Sequence, residues 1–366
     1  MIQILKALKK DYLMWGSVVL AGLTSFVSSP RVSDINWHTI GSLTMLMLVI
    51  AGCTQFGILK NISQFLINIT KNQQQLMQIM VGFSFFSSML LTNDVAILTL
   101  VPLYLTIAKR QNLSVIMPVV LLTIAANLGS AVTPFGNPQN IYLVANYHLS
   151  LLSFFQSTWI LSVTSFILLT LSTFFFKRKP LTKTNYTYQS IAKKSQLILV
   201  FSFIIALLGL LNLVNLWLAF IIVLGSSLSL KWQVILDIDY GLLLTFIGFF
   251  IIIGNFGRLA IVHELVTQLT TTTWQTYLTT IISSQFISNF PAAILLSQFT
   301  SNGPILLLGS NIGGSGTLVA SLANILAFKQ FSKEYSQQKG KFLVVFTLIN
   351  LLLLLILTPI IWLLSQ

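Results

Sequence analysis

The chain has 366 residues, of which 55% are hydrophobic and only 7% charged, with a mean hydropathy of +0.88. Soluble domains carry about 25% charged residues, so a water-soluble globular fold is excluded and most of the surface must face a lipid bilayer. A net charge of +13 would suggest a nucleic-acid partner in a soluble protein; here it sets membrane orientation, and no nucleic acid is expected.

Behind Lys6, Lys9 and Lys10, a first apolar run begins near Tyr12. No small-residue cleavage site follows, so it reads as a retained helix and not as a signal peptide. The pattern predicts helices at about 12–29 and 37–58, an amphipathic interfacial stretch at about 59–71, and an apolar hairpin over 72–108. That hairpin begins and ends beside basic residues, Lys71 and Lys109-Arg110. It is therefore re-entrant or a pair of short crossings, with Thr92-Asn93-Asp94 near its tip. A helix leaving at about 114 breaks across ANLGSAVTPFGNPQN (126–140), resumes to about 147, and is followed by one at 152–176. Residues 177–195 are polar, basic and carry Pro180, a linker. Helices then fall at about 196–213, 215–230 and 240–257, with an interfacial stretch at 258–272. A second hairpin (273–300) carries Ser288-Asn289-Phe290-Pro291; an interrupted helix (303–329) and a last helix (342–364) close the chain. The expected fold class is an all-α polytopic membrane protein with about 10–11 membrane segments.

Threading these segments in order puts every Lys and Arg except Arg31 and Arg258 on one side. The positive-inside rule makes that side cytoplasmic, so the N-terminus and linker 177–195 are expected there, in a multi-pass protein of the cell membrane.

The two halves resemble one another. At an offset of 184, Asn127, Gly129, Thr133 and Asn140 fall on Asn311, Gly313, Thr317 and Asn324, and Ser130 on Gly314. At an offset of 196, Thr92-Asn93 falls on Ser288-Asn289. Because the second hairpin starts from the opposite side, the expected organisation is two inverted repeats, 1–176 and 196–366, joined by the linker. Each has one hairpin and one interrupted helix.

Irregular backbone at membrane depth leaves N–H and C=O groups that cost several kcal/mol each unless they line a protein-enclosed cavity. Paired breaks and hairpin tips mark the midplane site of a secondary transporter. The candidate substrate- and ion-binding residues at the tips are Thr92, Asn93, Asp94, Ser288, Asn289 and Pro291. In the first break they are Asn127, Gly129, Ser130, Thr133, Gly136, Asn137 and Asn140, and in the second Asn311, Gly313, Gly314, Gly316, Thr317 and Asn324. Glycines allow close backbone approach, half-helix N-termini offer N–H groups, and amides and hydroxyls add neutral hydrogen bonds. Helix packing by small residues and Asn is the alternative, against which stands the number of helix breakers in 127–140.

Of the seven acidic residues, Asp94 lies within an apolar hairpin and is expected to couple Na+ or H+, the alternative being a cap of the second hairpin arm. Asp11 and Asp34 read as terminal or loop residues and Glu264 and Glu334 as interfacial. Asp237 and Asp239 read as cap or dipole partners of the helix that follows. His38, His148 and His263 map to the outer border, and the single Cys53 excludes an internal disulfide. With no metal-ligand spacing, catalytic pair or nucleotide-binding loop, neither a metal site nor an enzyme is expected, and no cofactor beyond a coupling Na+ or H+.

Five stretches carry a family resemblance: TNDVAILTLVP (92–102), NLGSAVTPFGNPQNI (127–141), DIDYGLLLTFIGFFII (237–252), SNFPAAILL (288–296) and SNIGGSGTLVASLAN (310–324). Over nearly its whole length the chain resembles the ion transporter superfamily of citrate-transporter-like and arsenite-efflux permeases, dicarboxylate/sodium symporters and one class of sodium/proton antiporters. In length it is similar to short bacterial members described as anion transporters of the cell inner membrane. The resemblance implies a scaffold part and a mobile transport part, commonly in a homodimer. It also implies that Asn93, Asn127, Asn289 and Asn311, with Thr133 and Thr317, line substrate and cation sites. Dicarboxylate symporters carry Ser-Asn-Thr at both tips, whereas these tips read Thr-Asn-Asp and Ser-Asn-Phe. The expected function is alternating-access secondary transport of a small anion or oxyanion, citrate/dicarboxylate-like or arsenite-like, coupled to Na+, H+ or membrane potential. A Na+/H+ antiporter using Asp94 is the alternative, and a passive channel a third class.

Overall fold

The computed structural model describes residues 11–58, 61, 65, 68–181, 190–211 and 213–365. Much of the expected interfacial stretch 59–71 and the middle of linker 177–195 lie outside the described residues.

Among the described residues the chain forms seventeen α-helices and no strands. The first half contains α1 (Tyr12–Ser25), α2 (Trp37–Gln55), α3 (Gln73–Leu91), α4 (Asn93–Gln111), α5 (Ile116–Ser130), α6 (Pro138–Tyr147) and α7 (Leu151–Thr173). The second contains α8 (Lys193–Leu210), α9 (Leu216–Leu230), the short α10 (Gln233–Leu236), α11 (Tyr240–Gly257) and α12 (Ala260–Leu269). It continues with α13 (Thr273–Ile287), α14 (Asn289–Leu296), α15 (Gly303–Gly313), α16 (Leu322–Glu334) and α17 (Lys339–Leu364). Five helices are long and apolar enough to cross a membrane: α2, α7, α8, α11 and the segment ending in α17. The all-α polytopic class expected from composition is the observed one.

Neutral caps start many of these helices, sparing the bilayer border a charge. Asn36, Asn72, Asn137, Asn215 and Asn302 each accept a backbone N–H from the first turn of α2, α3, α6, α9 and α15, the role for which Asn is among the favoured residues. Both expected hairpins are helix pairs broken at one residue, Thr92 between α3 and α4 and Ser288 between α13 and α14. Both interrupted helices are real interruptions, α5/α6 and α15/α16.

Apolar side chains divide between two faces. Leu348, Leu352 and Leu355 of α17 and Trp217, Leu218 and Ile221 of α9 are exposed, as expected of helices that face lipid. Inside, one core joins α3, α4, α5 and α7 to α13, α15, α16 and α17. A second joins α2, α6, α8, α9, α11 and α14. Arg258, at the end of α11, pins the α1–α2 connection through Asp34 Oδ1 at 2.8 Å and the Ser29 carbonyl at 2.8 Å. Asp34 is therefore an ion-pair partner and not a plain loop residue.

Candidate functional site

The hairpin tips hold an uncommon backbone. Thr92 has φ 77° and ψ 152°, and Ser288 has φ 76° and ψ 151°. For a residue with a Cβ this conformation costs about 1–3 kcal/mol, so the surroundings must over-determine it. They do so alike in both halves. The Asn93 N–H donates to the Gly136 carbonyl at 3.1 Å, and the Asn289 N–H donates to the Ala320 carbonyl at 2.9 Å. Thr133 Oγ1 donates to the Met89 carbonyl at 2.6 Å, and Thr317 Oγ1 to the Gln285 carbonyl at 2.8 Å. Each tip is thus stitched to the break of its own half.

Each break frees carbonyls, and an Asn from the resuming helix satisfies them. Asn140 Nδ2 donates to the Ser130 and Thr133 carbonyls at 3.2 and 2.8 Å. Asn324 Nδ2 donates to the Gly314 and Thr317 carbonyls, both at 3.1 Å. The two amides then cross between halves: Asn127 Nδ2 donates to Asn324 Oδ1 at 2.7 Å, and Asn311 Nδ2 donates to Asn140 Oδ1 at 2.7 Å. Asn93 Nδ2 reaches Asn127 Oδ1 at 3.1 Å, and Asn137 Nδ2 reaches Asn311 Oδ1 at 2.9 Å. All six amides are buried. Gly313 lets the hairpin arm lie against the break, for a Cβ there would stand 2.6 Å from Ser284 Oγ.

Three buried tip side chains are left over, the Thr92 hydroxyl among them. Neither the Asp94 carboxylate nor the Asn289 amide has a hydrogen-bond partner among the described residues, though both are buried, at 7% and 5% exposure. Asp94 therefore does not cap α4 through a side-chain bond. It opens instead on a cavity of about 370 Å³, a volume in the range of small-molecule sites. The walls come from α2, α4, α11 and α16, where helices of the two cores meet, and Thr92 and Pro138 share the lining.

At the corresponding place in the second tip stands Phe290. Its ring lies 4.7 Å from Phe246, 5.7 Å from Phe250 and 6.3 Å from Tyr142, all four buried. Phe246 also lines the Asp94 cavity, so the aromatic layer meets the cavity at that ring. Beyond it Tyr142 and Tyr147 bond to Ser297 and Thr300, at 2.7 and 2.6 Å. One tip faces open space through a carboxylate; the other is sealed by rings.

The expected site residues are therefore brought together in unequal roles. Thr92 and Asp94 reach the cavity. Asn93, Asn127, Asn137, Asn140, Asn311 and Asn324 bind one another, with Ser130 Oγ 3.0 Å from Asn137 Nδ2. Gly129, Gly136, Gly313, Gly314 and Gly316 sit where a Cβ would collide, and Pro291 is buried in the first turns of α14. Three groups escaped the sequence reading. Gln285 holds the second break, taking the Thr317 N–H at 2.9 Å and giving Nε2 to the Gly313 carbonyl at 2.9 Å; a Gln three residues before Ser288 was the available signal. The aromatic layer gave no signal beyond Phe frequency. The third group is acidic: Asp11, Asp237 and Asp239 line the same cavity as Asp94. Asp239 does cap α11, accepting the Leu242 N–H at 2.9 Å, but all three also belong to the cavity wall, which corrects their assignment as merely terminal or capping residues.

Comparison with known proteins agrees with this architecture. An uncharacterized transporter of Methanocaldococcus jannaschii is 30% identical over 355 residues, covering 94% of this chain and 96% of its own. The inner membrane protein YbiR of Escherichia coli is 31% identical over 315 residues, 84% of each chain. A silicon efflux transporter of Oryza sativa subsp. japonica is 27% identical over 139 residues, 38% of this chain and 29% of its own. The citrate transporter family model matches residues 4–303, a span that takes in both hairpins, the first break and every wall of the cavity but α16. A membrane protein of this helical build, matched over most of its length by that family, belongs to the citrate transporter family.

Proposed function

We propose that the chain is a secondary active transporter of a small anion or oxyanion, working by alternating access with Asp94 as the coupling carboxylate for Na+ or H+. The observation that carries this reading is a cavity of about 370 Å³ ending on a buried, unpartnered Asp94 at a hairpin tip. An ionisable group without a partner at membrane depth is costly and marks an ion or solute pathway. The solute meets Thr92 and Asp94 from the cavity, and Asn289, an unpartnered residue of the second tip, is the reserve donor and acceptor. The crossed amides keep the breaks rigid around them.

The reading takes residues 1–176 and 196–366 as inverted repeats on either side of linker 177–195, with the lysine-rich side cytoplasmic and the protein a homodimer. The paired tip angles and the matching amide bonds support the repeat. The rice relative is named for silicon efflux, which keeps an inorganic solute beside the carboxylates that the family's name suggests. A Na+/H+ antiporter using Asp94 is the second reading, favoured by the acidic lining of the cavity.

The test is uptake into proteoliposomes holding the full chain, with citrate, succinate, arsenite, silicate and sulfate offered under an imposed Na+ or pH gradient. Gradient-dependent, saturable accumulation of one of them is expected. Flux of none, with Na+ addition alone moving protons, would replace solute transport by the antiporter reading.

A further inference from the structure

The charges on the cavity wall run against the rest of the chain. Lys and Arg number 20 and Asp and Glu 7 in the whole sequence, yet among the described residues the cavity is lined by Asp11, Asp94, Asp237 and Asp239 against one basic residue, Lys329. Orientation by positive charge gives no reason for this, since it would fill any cavity on that side with lysine. Capping accounts for only part of it: Asp239 caps α11 and Asp11 accepts the Met14 N–H at 3.1 Å, whereas Asp94 caps nothing.

Two features of the wall call for something positive. Asp94 is more than nine-tenths buried, faces the cavity and has no partner among the described residues. Gln55, on the same wall, gives Nε2 to Asp237 Oδ2 at 3.4 Å, while its buried Oε1 has no hydrogen-bond partner. Asp239, Asp11 and Lys329 line the same cavity as Asp94. Gly241 allows this crowding, because a Cβ there would collide with Asp11 and stand 3.3 Å from Asp239 Oδ1. The donors offered are oxygens, which suit a hard cation. A cleft of one charge sign between low-dielectric walls concentrates counter-ions.

We propose that Asp239 and Asp11, with Asp237 and the Gln55 amide oxygen, form a cation-loading station at the mouth of the cavity that passes a monovalent cation, H+ or Na+, on to Asp94. Lys329 is the tethered cation that holds the station when no free one does. The station rests on the reading of Asp94 as the coupling group and adds what that reading lacks, a site that overcomes the repulsion an anion meets among four carboxylates. The sealed Phe290 side offers no equivalent carboxylate, so the cation loads from one side in this conformation.

The test uses the purified full-length protein in detergent. Its thermal unfolding midpoint is followed during a NaCl titration balanced with choline chloride at fixed pH, and during a pH titration without Na+. A saturable rise is expected in one arm, which identifies the cation as Na+ or H+. Asp239→Asn keeps a cap residue of equal quality but removes the charge. It is expected to raise the half-saturating Na+ concentration at least tenfold, or to move the pH midpoint by at least one unit. Glu264→Gln, an exposed acid outside the cavity wall, is the control and leaves both unchanged. No saturable effect in either arm, or one unchanged in Asp239→Asn, overturns the station. If Asp94→Asn alone abolishes the effect, the coupling role of Asp94 stands without the station. A full effect from Mg2+ and none from Na+ or H+ overturns the monovalent assignment.

Discussion

Asp94→Asn is expected to leave solute exchange in place while abolishing uphill accumulation driven by an ion gradient, a loss of at least a hundredfold in the steady-state ratio. The substitution keeps shape and hydrogen-bonding capacity and removes one negative charge. Since the carboxylate has no bonded partner to lose, folding is not at stake, and removing an unpaired ionisable group from membrane depth costs nothing in stability. Counterflow, in which labelled solute exchanges for unlabelled solute without a gradient, needs the site and the conformational change but no ion. Accumulation needs the ion. Loss of both would make Asp94 a solute ligand alone, and loss of neither would remove it from the mechanism.

The second large effect concerns the crossed amides. Asn311→Ala deletes two donated bonds, to Asn140 Oδ1 and the Leu307 carbonyl, and one accepted from Asn137 Nδ2. Each buried polar group left without a partner costs about 1–3 kcal/mol, so the unfolding midpoint of the full chain falls clearly. A double-mutant cycle localises the cause. Asn311 and Asn140 share a bond and couple, whereas Asn311 and Asn324 share none and their losses add. Coupling of equal size in both pairs would mean that the amides act only by packing volume.

How much of this was legible in the sequence follows from which interactions are local. The break after Asn127 could be read directly, because Pro134, Gly136, Asn137 and Pro138 cannot continue a helix, and the structure ends α5 at Ser130 and restarts α6 at Pro138. The polar triplet Thr92-Asn93-Asp94 was expected near the first tip and Ser288-Asn289-Phe290-Pro291 within the second hairpin, and the chain turns at Thr92 and Ser288. What the polar residues do there was not legible. Asn140 and Asn324 look like solute ligands in the sequence, but each spends its amide on carbonyls of its own break and its oxygen on the opposite half. That partner exchange exists only after folding. Asp11 and Asp239 were read apart because one follows a basic terminus and the other precedes a helix, and each local reading was sufficient by itself. Only the packing of α2, α4, α11 and α16 around one space makes them neighbours of Asp94. Phe290 escaped for the opposite reason: in a chain with 27 Phe, one more ring at a tip carries no signal until it is seen packed on Phe246.

In the proposed mechanism the unpaired groups carry the chemistry and the paired ones the architecture. A solute that reaches Thr92 and Asp94 meets a carboxylate whose charge must be balanced before an anion can share the space. Solute and cation binding are therefore linked, and each must favour the other by the same factor. The most direct measurement is ion movement evoked by solute. Proteoliposomes containing the full chain and a Na+- or pH-sensitive dye receive the transported solute with no ion gradient imposed. The account predicts ion movement that follows solute addition, saturates with solute and is absent in Asp94→Asn. Solute uptake without ion movement, or ion movement of equal size in Asp94→Asn, would contradict it.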